Sequence, residues 1–505
     1  MKMVKSLVLG SAAALVAMSG AQAADLPVKA KAVEYVRICS LYGAGFFYMP
    51  GTDTCIKFGG YVRADTILGS NNDYGFAGGV TGSRNRDSNY FTSRARMDLT
   101  VDTRTATEYG VLRTYADLVF TWTGGSYSGS SPTIYDNSGA GVSTGTNATI
   151  GGGQLGLYHA FIQFAGFTFG RTVSIFDTPW QSYPAGGPDT LPGGSNHVTG
   201  VNQVAYTAEF GQGVSASVAL EDPTQYDQSN VWNLSGATAV GMITGAYGVG
   251  DIGGTRSPDF IGSVRVDQAW GLFQFSLVGH DNHAAYFGLT EPTGHPDDKW
   301  GWAAQAALSI KNIPTGPGDS INLQAVYTDG ATRYNFQSLF PQAFAVYGGT
   351  GLAGAYQSVG LFGLADTVFV AGSQQETVKT WGFRGGYTHN WTPNWATSIY
   401  GAYGQLKYGT LGKATICGNF TTLLGFVGSC NPDFNIGVIG GNIVWTPVKN
   451  FALTLDVNWT NLDQKNSGTI SGAGTLAAGV AKPAAVYELK DQNAINMLLR
   501  AQRNF

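Results

Sequence analysis

The chain has 505 residues, 29 basic and 33 acidic, so only 12% are charged against about 25% in ordinary soluble domains. That scarcity argues against a cytosolic enzyme, and a hydrophobic fraction of 43% with 12% aromatics excludes intrinsic disorder, which goes with few aromatics and many charges. A net charge of -4 and a pI near 5.9 exclude a nucleic-acid binder, whose phosphate-tracking surface needs a local excess of Lys and Arg.

At the N-terminus Lys2 and Lys5 precede an apolar run from Leu7 to Met18, followed by Ala21, Gln22 and Ala23. This is the charged, apolar and A-x-A pattern of a secretory signal, predicted over residues 1–23 with cleavage between Ala23 and Ala24. The run is too short to span a bilayer of about 30 Å. Cys39, Cys55, Cys417 and Cys430 therefore enter an oxidising compartment, where three pairings are open and local closure favours Cys39 with Cys55 and Cys417 with Cys430. No C-x-x-C or H-E-x-x-H spacing occurs, so neither a metal site nor a cofactor is expected.

Beyond the signal the sequence alternates with a period of two, in blocks of about ten residues. The first three blocks are 56–68, 90–104 and 111–122. In the second, Thr92, Arg94, Arg96, Asp98, Thr100, Asp102 and Arg104 share one face of a strand, and Phe91, Ala95, Met97, Leu99 and Val101 share the other. In the first, Tyr61, Arg63 and Asp65 oppose Phe58, Val62 and Ala64; in the third, Arg113, Tyr115 and Asp117 oppose Leu112, Ala116 and Leu118. Further strands are predicted at 155–164, 166–172, 201–210, 213–221, 259–268, 271–281, 300–310, 320–329, 376–389, 395–408, 433–446, 450–461 and 494–505. The total is sixteen, an even number as bacterial barrels require. The links alternate between short turns, such as Ala165-Gly166 and Gly211-Gln212, and long loops, including 173–200 and 330–375. The uncharged stretch from Tyr334 to Ala365 reads as part of a long loop.

An Arg facing lipid near the bilayer midplane costs about 2–4 kcal/mol, so the charged face must look inward and the apolar face outward. Inside a bilayer every backbone N–H and C=O must be bonded within the protein, which closes the sheet on itself. Sixteen strands enclose more space than side chains fill. The fold class is thus all-β: a transmembrane sixteen-stranded antiparallel barrel in a Gram-negative outer membrane, with short periplasmic turns and long extracellular loops. Trp122, Trp391, Trp395, Trp445 and Trp459, near strand ends, are candidates for interfacial girdles.

The segment ADLPVKAKAVEYVRICSLYGAGFFYMPGTDTCIKFGGYVRAD (24–65) resembles the opening of the mature alphaproteobacterial porins, including Cys39 and Cys55 and the first barrel strand. LYHAFIQFAGFTFGRTVSIFDTPWQSYP (157–184) is similar to that family's fourth and fifth strands leading into the third loop. The terminal RAQRNF resembles its assembly signal, ending on Phe505. The resemblance implies a porin barrel over 24–505 with a periplasmic-side N-terminal segment, 24–55. It also implies a passive diffusion pore for small hydrophilic solutes and ions, inserted by the barrel assembly machinery and contacting outer-membrane lipid as a homotrimer. Its third loop, 173–200, folds into the lumen as a constriction. On that basis Asp177 and Asp189 are the loop-side constriction candidates, and Arg63, Arg94, Arg96, Arg113 and Arg171 the wall-side ones. Opposed charges set a transverse field that favours polar solutes, and neutralising the two acids is expected to raise anion preference. Arg171 shares the parity of Phe167 and Phe169, so it reaches the lumen only through a bulge at Gly170.

Other chemistry is weaker. GVSTG around Ser143 matches G-x-S-x-G but lies in a Ser/Gly/Thr-rich loop without a strand-to-helix elbow. GTGLAG, with Gly349, Gly351 and Gly354, lacks the βαβ context of a dinucleotide site. His280, His283 and His295 with Asp281, Asp297 and Asp298 read as a polar loop rather than a metal site. The rival functions are a substrate-selective outer-membrane channel, a barrel-based enzyme, for which six scattered histidines supply no base and nucleophile set, and a structural barrel or adhesin.

Overall fold

The structure, a computed structural model, describes residues 37–69, 84–86, 90–124, 148–150, 153–180, 191–195, 199–337, 340–471 and 482–505. Residues 1–23 and the cleavage site Ala23-Ala24 lie outside them, as do Asp189 and Ser143.

Residues 37–56 form a small compact unit. Cys39 and Cys55 are bonded with Cα atoms 6.1 Å apart, Phe47 and Tyr48 pair with Ile56 and Cys55, and the Arg37 guanidinium lies 4.7 Å from the Tyr48 ring. The second predicted disulfide, Cys417 to Cys430, is also present.

The remainder is the barrel. Its strands are β1 Cys55–Gly69, β2 Phe91–Thr107, β3 Gly110–Gly124, β4 Gly153–Phe164, β5 Phe167–Thr172, β6 Val201–Gly211, β7 Val214–Glu221, β8 Asp259–Gln268, β9 Gly271–Asn282, β10 Lys299–Lys311, β11 Ser320–Asp329, β12 Lys379–Thr392, β13 Trp395–Lys407, β14 Phe434–Val448, β15 Phe451–Gln464 and β16 Gln492–Asn504. Each pairs antiparallel with the next, and β16 pairs back onto β1, with Thr66 opposite Leu499 and Asp65 opposite Arg500. Among the described residues the ring of sixteen strands has no unpaired edge strand, so it meets the backbone requirement of a bilayer. All sixteen predicted strands are present, most within two residues of their predicted ends. The largest differences are β2 and β15, which run on to Thr107 and Gln464, three residues past their predicted ends, and β12, which lies three residues later than predicted.

Alternation places the residues as their polarity requires. On β2, Thr92, Arg94, Asp98 and Asp102 are buried while Phe91 and Met97 are exposed. The same outward series continues through Val204 and Tyr206, Phe273 and Phe275, Ile439 and Ile443, and Ile495 and Leu499. All five predicted girdle tryptophans are exposed, and Trp395 stacks on Trp445 at 5.6 Å. Trp381 and Trp391 stand ten residues apart on β12, about 33 Å of strand, which a tilt of about 40° reduces to the ~25 Å apolar band of outer-membrane barrels.

The loop end is more structured than the sequence suggests. The stretch read as an open loop between Tyr334 and Ala365 contains a hairpin, Ala343–Gly348 with Gln357–Gly363, and runs into a strand at Ala365–Phe369. The β13–β14 loop forms a helix, α1, at Thr410–Leu424. Four long loops pool their apolar residues, including Trp232, Tyr247, Phe344, Phe362, Phe420 and Tyr487, in one buried cluster with Leu406, Phe434, Ile436 and Leu462 from β13 to β15. These strand residues have the inward parity, so loops cover that sector of the inner wall.

Candidate functional site

The inner wall divides into two sectors. Around β8–β15 it is covered: His280, Gln305, Gln324, Thr328 and Arg384 are inward-facing and fully buried. Around β16 and β1–β4 it carries a dense ladder of charge with solvent access.

Arg94 and Arg500, from either side of β1, both reach Asp65, through Arg94 Nη2 at 2.7 Å and Arg500 Nε at 2.7 Å. Arg63 Nε donates to Gln502 Oε1 at 2.8 Å and its guanidinium lies 4.4 Å from the Tyr61 ring. Arg96 Nε donates to Thr121 Oγ1 at 3.2 Å. Arg113 shares Asp102 with Arg104, at 3.0 and 2.9 Å, and donates through Nη1 to Gln163 at 3.0 Å. Four of the predicted wall arginines, Arg63, Arg94, Arg96 and Arg113, thus converge on one sector. Arg94 is buried in its ion pair, whereas Arg63, Arg96 and Arg113 are only half-buried. The acids Asp65, Asp98, Asp102 and Asp117 are all buried. What this sector presents to solvent is therefore predominantly guanidinium and phenol.

Two further groups join the ladder through a bulge. The β3–β4 register shifts between Asp117 and Leu118, so that Asp117 pairs with His159 and Leu118 with Leu157. The extra residue, Tyr158, turns toward the wall, with Arg96 5.9 Å from its ring, while His159 Nδ1 lies 3.1 Å from Asp117. Strict alternation cannot give this; a bulge inserts one residue and re-aims its neighbours.

Arg171 goes elsewhere. Both ladders of β5 run without a register shift, although Gly170 has φ +114°. Its guanidinium bonds to the Thr199 carbonyl at 2.9 Å and Gln225 at 2.8 Å, with Tyr226 beneath it. The bulge on which its place in the lumen was conditional is not there, and its bonds run to the loops.

The third loop does fold inward. Its first part is stitched to strands well round the ring: Gln274 Nε2 on β9 donates to the Asp177 carbonyl at 2.9 Å, and Gln305 Nε2 on β10 to that of Phe176 at 2.6 Å. Its later part is held by Arg384 on β12, whose Nη2 donates to the Ser195 carbonyl at 2.8 Å, and by Asn335, whose carbonyl accepts from Gly193 N and Gly194 N. Gly193 has φ +92°, and a Cβ there would stand 2.4 Å from the Phe383 carbonyl group, so the close approach requires glycine. Asp177 is buried and accepts a hydrogen bond from Ser195 Oγ, tying the two ends of the described loop together. Sequence reasoning missed Arg384 and Gln305, although both lie on inward parities.

His280 Nδ1 is 2.7 Å from Asp259 and His283 Nδ1 is 2.6 Å from Asp298; among the described residues no group of three or more His, Cys, Asp or Glu is arranged to hold a metal ion.

A family model described as "Porin subfamily" matches residues 25–498. The chain is 39% identical over 270 residues to porin Omp2a of Brucella melitensis, covering 51% of this chain and 67% of the relative. It is 33% identical over 350 residues to porin Omp2b of Brucella neotomae, covering 68% and 80%. Among solved structures, the outer membrane channel DcaP of Acinetobacter baumannii superposes with a TM-score of 0.56 at 16% identity, covering 91% of this chain and 99% of that one, a likeness of fold.

Proposed function

The chain belongs to the porin subfamily, and from that premise we propose that it is a passive outer-membrane diffusion pore whose solute path runs along the arginine-rich sector of β16 and β1–β4. The observation that carries this reading is the asymmetry of exposure: half-buried Arg63, Arg96 and Arg113 stand above buried carboxylates in one sector, while the opposite sector is covered by loops. A solute in such a lumen exchanges water for guanidinium and phenol donors, which favours anions over cations and polar solutes over apolar ones. The wall residues are Arg63, Arg94, Arg96 and Arg113. Arg94 acts by holding Asp65, and Asp177 acts by fixing the inward loop. Asp189 belongs to the proposal only through its place in the 173–200 loop. No reaction is required of any residue; solutes move down their gradients.

Planar-bilayer recording tests this. Arg63→Gln with Arg96→Gln is expected to shift the reversal potential in a salt gradient toward the cation side while leaving conductance within about twofold, since a ring of charge tunes selectivity more than it changes width. An unchanged reversal potential would place the path elsewhere. Conductance stepping in threes would support the homotrimer that the family resemblance implies. A second reading, a substrate-selective channel, draws on the stacking of Arg63 on Tyr61 and of Arg113 on Tyr115 and Phe161 at 5.1 and 5.4 Å. Saturable, solute-blockable current would favour it.

A further inference from the structure

The membrane-facing wall holds a feature that conduction does not use. Between β9 and β15 the outer surface dips into an apolar groove of about 740 Å³, within the roughly 300–1,000 Å³ of ordinary ligand sites. Its floor is made where Gly401 and Gly437 replace side chains, and its sides by Phe383, Tyr403, Ile439 and Trp459. Toward the loop end it continues as an aromatic track: Trp381 lies 6.2 Å from Phe383 and 5.3 Å from Tyr403, with its Nε1 donating to Gln405 at 2.9 Å.

At the head of that track, on the same outward parity, Lys379 and Lys407 stand directly opposite each other across β12 and β13. Both are exposed. Like charges in directly opposed positions destabilise a sheet, and the neighbouring acids do not balance them. Asp329 lies 3.6 Å from Lys379. Asp433, next to the Lys407 end of the ladder, is already held by Lys413 at 2.5 Å. Among the described residues no carboxylate stands within 4 Å of Lys407, so the pair is only half compensated, directly above an apolar cleft that faces hydrocarbon.

We propose that this surface binds one net-anionic, phosphorylated and acylated lipid of the outer leaflet, with an acyl chain in the groove over Gly401 and Gly437 and its uncompensated phosphate between Lys379 and Lys407. The Trp381 and Tyr403 rings sit at the level where chain meets headgroup, the preferred depth of such amphipathic rings. The phosphate relieves the lysine repulsion through charge-assisted hydrogen bonds.

The test is native mass spectrometry of the full protein in its native oligomer, exposed in detergent to phosphatidic acid and phosphatidylcholine with identical acyl chains. The wild type is expected to retain phosphatidic acid about fivefold or more over phosphatidylcholine, the factor a single surface lysine supplies. Lys379→Gln with Lys407→Gln should bring the two lipids to parity. Gly437→Leu should lower retention of both; a Cβ at Gly437 meets nothing within 4 Å, so the barrel tolerates the change. Equal retention of both lipids by the wild type, or a preference that survives loss of both lysines, overturns the proposal. So does release of the lipid by millimolar inorganic phosphate, which would make the lysines a free-phosphate site, or a change of oligomeric state in Gly437→Leu, which would give the groove to a second copy of the chain.

Discussion

At Gly60 the β1 backbone has φ +146°, and a Cβ there would stand 2.0 Å from the Asp98 carbonyl oxygen on β2. Gly60→Ala must therefore push two paired strands apart or strain the backbone, at about 1–3 kcal/mol. The expected outcome is an earlier midpoint of urea unfolding in detergent, with Gly437→Ala unchanged as the control. Lys482 offers a pH-dependent case in a loop. Its amine lies 4.4 Å from the Tyr347 ring and donates to Gln357, and burial lowers its pKa from 10.5 to about 8. Between those values the undocked loop binds more protons than the docked one, so docking strengthens as pH rises through the window and is flat below pH 8. Tyr487, which burial pushes up to about 12, stays neutral throughout. Hydrogen exchange at Gln357–Gly363 and Val486–Leu489, corrected for intrinsic rate, should slow from pH 8 to 9.5, and Lys482→Met should abolish the trend. Single residues also mark how far sequence reading reaches. Parity put Arg63, Arg94, Arg96 and Arg113 on the inward faces of their strands, because a period of two is a geometric property of a strand. It flagged Arg171 as awkward for the same reason. It could not show that Asp177 is buried against Ser195, because loop residues obey no period.

Strands were legible because each must satisfy two solvents at once, lipid on one face and water or polar groups on the other, so even the short β5 betrays itself. The loop elements satisfy only one requirement, burial of apolar area against one another. Ala343–Gly348 is a run without alternation, and α1, read from sequence, is glycine-bearing and uncharged but for Lys413. Such runs are ambiguous between strand, helix and loop. What fixes α1 is tertiary: Ile416, Phe420 and Leu424 recur on one buried stripe, and Cys417–Cys430 ties the helix to the segment after it. By the chain-entropy account, a crosslink with a sequence separation of 13 restricts the open loop by about 3 kcal/mol. Cys417→Ala with Cys430→Ala should therefore raise exchange of the α1 amides by about two orders of magnitude. Exchange in β13 and β14 should stay unchanged, because the strands are held by their own ladders. If the strand amides exchanged faster as well, the loop cluster would be part of the barrel's cooperative unit rather than a separate lid upon it.

For the molecule as a whole, the decisive quantity is which solvent each face meets, and adjacent residues of β16 put it to a direct test. Leu499 points outward and is 47% exposed; Arg500, the next residue, points inward and bonds Asp65 at 2.7 Å. Leu499→Arg places a guanidinium in hydrocarbon near mid-strand and should cost about 2–4 kcal/mol, seen as a lower folded fraction in bilayers and a much smaller loss in detergent, where the headgroup is nearer. Arg500→Leu removes one of two cations from a buried carboxylate, and the penalty of an under-compensated Asp65 is felt equally in bilayer and detergent, because neither solvent reaches it. Spin labels give the same contrast without charge: those at 95, 97 and 99 should contact acyl chains, and those at 94, 96 and 98 should not. The bilayer-to-detergent difference is the discriminating measurement. An outward face wetted by water would make Leu499→Arg harmless in both media, and then neither the closed ring of sixteen strands nor the charged ladder inside it would describe a membrane pore.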